Sequence, residues 1–120
     1  MDKKTLIMGA STNPDRYANI AIKKLRANGI EVVAFGIKAG IVGDVKIDTE
    51  RIPYESIHTV SLYLNPKHQK QYYDYILNLN PKRVIFNPGT ENPEFFNLLE
   101  NKGIAHELSC TLVLLSTNQY

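Results

Sequence analysis

The segment Gly9-Ala10-Ser11-Thr12-Asn13-Pro14 has the residue types of an anion-binding turn. It follows a short apolar run, Leu6-Ile7-Met8, and its small residues leave backbone N–H groups open to a negatively charged ligand. A helix predicted to start near Arg16 and Tyr17 adds its partial positive charge at the same place. A dinucleotide fingerprint would read G-x-G-x-x-G, followed about twenty residues later by an acid for the ribose hydroxyls. Gly9 matches the first glycine, but Ser11 and Pro14 occupy the other two positions. In place of the acid stands Phe35-Gly36-Ile37-Lys38. A lysine there suits a terminal phosphate better than a free ribose diol, a feature that nicotinamide phosphate cofactors and coenzyme A share.

Other reactive side chains are few. Cys110 is the only cysteine, so no internal disulfide can form. A thiol becomes a nucleophile only where a cation or a helix N-terminus lowers its pKa, and Cys110 is read as a small structural side chain. His58, His68 and His106 share no metal-ligand spacing, and no pair of carboxylates is placed at the strand ends. The expectation is no catalytic constellation and no metal site.

These residues need a scaffold. Leu6–Met8 reads as a buried parallel strand. Ala18, Ala21, Ile22 and Leu25 form the stripe of a helix over residues 17–28, stopped by Gly29, and Ile30–Phe35 is a second strand, completing a βαβ unit. Residues 36–50, with Gly36, Gly40 and Gly43, read as a loop with at most one short strand near Val45–Ile47. Thr59–Leu64 is the next strand. Asn65-Pro66 then opens a helix with a side-chain cap and proline at its first position, its apolar face carrying Tyr72, Tyr73, Ile76, Leu77 and Leu79. Val84–Phe86 is a strand, and Asn92-Pro93 repeats the helix-opening signature before a helix that stops near Gly103. Ile104–Leu108 is the last strand, and Thr111–Ser116 is read as a helical turn. This alternation predicts a single Rossmann-like, doubly wound α/β/α sandwich with a mostly parallel sheet.

In such a sheet ligands bind beyond the carboxyl ends of the strands. The expected site therefore gathers Gly9, Ala10, Ser11, Thr12 and Asn13, Arg16 and Tyr17, Phe35, Gly36 and Lys38, Leu64, Asn65 and Pro66, and Asn87, Pro88 and Gly89. The composition is that of a globular protein, 43% hydrophobic and 22% charged, which disfavours disorder. A net charge of +2 from scattered Lys and Arg disfavours a dedicated nucleic-acid binder. No apolar run suggests a membrane span or a signal-peptide core, so a cytoplasmic location is expected. A homodimer is compatible with so small a domain.

The order Gly9-Ala10-Ser11, Asn13-Pro14-Asp15-Arg16, a helix, Gly29, a strand, Ile41-Val42-Gly43 and later Ile52-Pro53 resembles the stand-alone bacterial CoA-binding proteins. These are similar to the CoA-binding domain of succinyl-CoA synthetase. The resemblance runs from about Thr5 to Cys110. It implies that residues 9–13 hold the CoA diphosphate, that Lys38 meets the nucleotide phosphate, and that residues 64–66 and 87–91 line the cleft for adenosine and pantetheine. Two segments depart from the pattern: Phe35-Gly36-Ile37 stands where a Val-Asn-Pro segment is usual, and Phe86-Asn87-Pro88-Gly89 replaces a Trp-x-Gln-x-Gly segment. The implied function is a non-catalytic module binding coenzyme A or an acyl-CoA. The alternatives are a small enzyme or enzyme subunit acting on an acyl-CoA, with Cys110 or Glu91 as reactive candidates, and an NADP-binding or redox-sensing domain.

Overall fold

A computed structural model describes residues 3–120. Seven strands form one sheet in the order β3-β4-β2-β1-β5-β6-β7. The strands are β1 (Thr5–Met8), β2 (Val32–Phe35), β3 (Gly40–Val42), β4 (Val45–Asp48), β5 (Thr59–Leu62), β6 (Arg83–Phe86) and β7 (Ala105–Leu108). All neighbours pair in parallel except β3 and β4. The helices are α1 (Tyr17–Ala27), α2 (Pro66–Gln69), α3 (Tyr73–Leu79), α4 (Pro93–Asn101) and α5 (Thr111–Ser116). This is the doubly wound α/β/α architecture that the alternating pattern predicts.

Burial on both faces explains why the central strands read as unbroken apolar runs. Along β1, Leu6 and Met8 point to one core with Val60, Leu62, Phe86, Phe95 and Leu99, while Ile7 points to the other with Ala18, Ala21, Ile22 and Leu25. The helix stops follow from glycine. Gly29 takes φ +74°, its N–H donates to the Arg26 carbonyl, and the Ile30 N–H donates to that of Leu25, a Schellman closure of α1. Gly103, Glu100, Ile104 and Leu99 repeat this closure on α4.

Two elements differ from the sequence reading. Residues 36–50 are not a loop with at most one strand, because β3 and β4 form an antiparallel hairpin at the sheet edge that joins β2 through β4. Its two-residue turn begins at Gly43, φ +61°, where a type II′ turn takes glycine. Val42, Val45 and Ile47 are buried while Ile41 and Lys46 are exposed. That alternation spans too few residues to stand out from its glycine-rich surroundings.

The helix opened by Asn65 is also not continuous. It passes through a 3-10 turn at Lys70–Tyr72 before α3. Adjacent Tyr72 and Tyr73 must reach different partners. Tyr72 packs edge-on against Phe35 with ring centroids 5.2 Å apart, and Tyr73 stacks on Phe95 at 4.5 Å. The tighter turn accompanies this divergence.

The chain order reverses at β1, which lies between β2 and β5. The crevice of a doubly wound sheet falls there. The opposite end of the sheet is closed by Tyr120, whose ring lies under Arg83 at 4.5 Å and whose hydroxyl pairs with Thr5 Oγ1 at 2.5 Å.

Candidate functional site

The turn after β1 is held by the end of β2. The N–H groups of Gly9 and Ala10 both donate to the Phe35 carbonyl, at 3.0 and 2.9 Å, so neither is free for a ligand. The amides of Ser11 and Thr12 have no protein acceptor among the described residues. Glycine is required at two places. Gly9 lies at φ +96°, and at Gly36 a Cβ would sit 2.5 Å from the Ala10 carbonyl oxygen. The strand ends thus approach more closely than side chains permit.

Asn13 organises the next step of the chain. Its Oδ1 accepts from the Asp15 N–H at 2.9 Å, its own N–H donates to Ser11 Oγ at 3.1 Å, and its carbonyl accepts from the Arg16 N–H. Buried Asn19 braces the turn from below by donating to the Ser11 carbonyl at 2.9 Å. Helix α1 then begins at Tyr17 with no side-chain cap and no acidic residue in its first turn. Its positive end is left uncompensated beside the open amides.

A cleft of about 840 Å³ opens at this point, within the usual size of small-molecule sites. Its lining includes Gly9, Ala10, Ser11 and Thr12, Arg16 and Tyr17, Phe35, Gly36 and Lys38, Leu64 and Asn65, and Pro88 and Gly89. Of the residues singled out from sequence, Asn13, Pro66 and Asn87 do not line it. Pro66 is the exposed first residue of α2. Asn87 is 2% exposed and turned inward: its amide donates to Ser61 Oγ at 2.9 Å and the Leu62 carbonyl at 2.8 Å, and its Oδ1 accepts from the Thr111 N–H at 2.9 Å.

The cleft also takes Tyr63, His68, Gln71 and Tyr72, which sequence reasoning missed, while Ile37 and Thr90 belong to the strand-end segments expected to line it. The Asn65 cap, whose Oδ1 accepts from the His68 N–H at 3.1 Å, starts α2 at the cleft. His68, Gln71 and Tyr72 follow the cap at helical spacing. Tyr63 has a buried hydroxyl without a hydrogen-bond partner among the described residues, and burial pushes its pKa up to about 12. Cys110 is partly exposed at the N-cap of α5 and is not part of the lining.

The electrostatics of the lining have one sign. Arg16 and Lys38 face the cleft, and among the described residues no Asp or Glu does. Neither Arg16 nor Lys38 forms an ion pair among the described residues. Arg51 lies 4.8 Å from the centre of the Tyr72 ring, adding a cation behind this wall. Tyr17 and Ile37, 71% and 85% exposed, place apolar surface at the mouth. The arrangement suits a ligand carrying several negative charges together with apolar or stacking groups.

Similar folds are known. A crystal structure of an uncharacterized protein is 47% identical, with a TM-score of 0.97 over 100% of this chain and 99% of that one. A hypothetical protein from Pyrococcus horikoshii is 27% identical, with a TM-score of 0.86 over 98% of this chain and 84% of that one. A Thermus thermophilus protein, at 19% identity and a TM-score of 0.87 over 99% and 91% of the two chains, shares the fold. Among proteins with curated annotation, none matches. Residues 3–116 match the family described as CoA binding domain, and the chain belongs to that family.

Proposed function

We propose that the protein binds coenzyme A or an acyl-CoA in this cleft and performs no chemistry on it alone. The observation that carries the reading is the convergence of the open Ser11 and Thr12 amides, the uncapped start of α1, Arg16 and Lys38 on one carboxylate-free cleft at the carboxyl ends of β1 and β2. Phosphates are the natural occupants of such a place. Arg16 and the open amides take the diphosphate, and Lys38, exposed beyond β2, takes the phosphate on the ribose. The lack of an acid after β2 disfavours a free ribose diol and with it NAD. No nucleophile with an activating base lines the cleft, which favours a binding module over an enzyme.

The Lys38 assignment has a direct test by titration calorimetry. Lys38→Ala should weaken CoA binding by about 1 to 3 kcal/mol, the range for a charge-assisted hydrogen bond, and leave dephospho-CoA binding almost unchanged. Added salt should erode the preference of the wild type for CoA, because the contact is partly exposed. Equal losses for both ligands would move Lys38 to the diphosphate or to loop structure. No loss for either would remove it from the site.

A further inference from the structure

The two walls of the cleft beyond the phosphate turn are tied together by one buried side chain. Gln69 is fully buried at the end of α2, and its Nε2 donates to the Leu64 carbonyl and to the Thr90 carbonyl, both at 2.8 Å. Leu64 follows β5 and Thr90 follows β6, and both line the cleft. The orientation of Gln69 is itself fixed. Asn92, 6% exposed, donates to Gln69 Oε1 at 3.0 Å and to the Tyr73 hydroxyl at 2.7 Å, while its Oδ1 caps α4 through the Phe95 N–H. Both Nε2 hydrogens and the Oε1 of the Gln69 amide are thus engaged within the protein, and the side chain is fully buried, so it holds the walls instead of touching a ligand.

We infer that Gln69 is a positioning residue: by fixing the separation of the Leu64 and Thr90 walls, it sets how well this part of the cleft receives the neutral, amide-bearing pantetheine arm of the ligand. The inference rests on the CoA reading above. The cations Arg16 and Lys38 lie on the β1 and β2 side of the cleft, which draws the phosphates there and leaves this slot to the uncharged part of the molecule. Asn65, whose Oδ1 is taken by the His68 N–H, and Gln71 both line the cleft and bring amide groups of the kind that pair with the amides of the arm. A buried, fully bonded amide is also a rigid spacer, since breaking it leaves two carbonyls without a partner.

Calorimetric titration of wild type and Gln69→Met with CoA and with adenosine 3′,5′-bisphosphate, which lacks the pantetheine arm, tests the assignment. The variant should lose roughly tenfold or more in CoA affinity, the equivalent of about 1.4 kcal/mol, and keep its bisphosphate affinity within about twofold. Asn92→Ser provides the same test if Gln69→Met does not fold. Its hydroxyl can still cap α4 but is too short to hold Gln69, and it should show the same selective loss at smaller size. Equal losses for both ligands, or no loss for either, would overturn the positioning role while leaving the CoA reading intact. Failure of the wild type to bind CoA would instead overturn that reading, and the inference with it.

Discussion

Gly36→Ala should both destabilise the protein and displace the turn after β1, although it adds a single methyl group. The added Cβ would stand 2.5 Å from the Ala10 carbonyl oxygen and 3.1 Å from Ile47 Cγ2. Neither side can easily retreat. The Gly36 N–H is bonded to the Asp48 carbonyl at 3.0 Å, and the Phe35 carbonyl holds the amides of Gly9 and Ala10. Overpacking against fixed backbone costs about 1 to 3 kcal/mol, to be read from urea unfolding, and whatever relief occurs must displace the turn that carries Ser11 and Thr12. CoA affinity of the folded fraction should therefore fall as well. Gly40→Ala is the control. Its Cβ would meet only the Thr12 side chain, at 2.4 Å from Cγ2, which can rotate away, and the cost should be smaller. A Gly36→Ala protein as stable as wild type would mean that β2 does not press on the turn.

Replacing Asn87 by alanine should give the largest loss of stability among these substitutions with little change in ligand affinity. The side chain makes three hydrogen bonds inside the protein and is not part of the cleft lining. Removing it leaves the buried Thr111 N–H and the Leu62 carbonyl each short of a partner, while Ser61 Oγ and Thr111 Oγ1 keep their mutual 2.8 Å contact. Two such deficits cost about 2 to 5 kcal/mol together. The folded Asn87→Ala protein should still bind CoA within about threefold of wild type. A large loss of affinity at unchanged stability would instead place Asn87 at the ligand.

Asn87 also marks what the amino-acid sequence could and could not reveal. Its position after a strand made it a candidate to face the ligand, and its type suited that role. Which way an asparagine points is decided by tertiary partners, here Ser61 and Thr111, far away along the chain. The main elements were legible because each carries its own local signal: apolar runs for β1, β5 and β6, the 3.6-residue stripe of α1, and the Asn-Pro starts of α2 and α4. The β3–β4 hairpin was not, because three- and four-residue strands are stabilised mainly by pairing with β2 and with each other.

The turn after β1 was legible for a different reason. Gly9 and Gly36 are demanded by backbone crowding at the switch point of the sheet, so the ligand crevice leaves its trace in the chain as glycine. The wall formed by His68, Gln71 and Tyr72 left no such trace, because a helix start reads the same whether or not it faces a cleft. The Gln69 bridge was hidden for the same reason, since a glutamine near the first turn of a helix is ordinarily a solvent-facing residue.

The central claim is that the carboxylate-free cleft beside β1 is a coenzyme A site. The most direct measurement is calorimetric titration of the purified wild-type protein with CoA, acetyl-CoA and NAD under identical buffer and salt. Saturable binding of CoA or acetyl-CoA, one per chain, with no measurable binding of NAD, is the expected result. Saturable binding of NAD without binding of either CoA compound would contradict it.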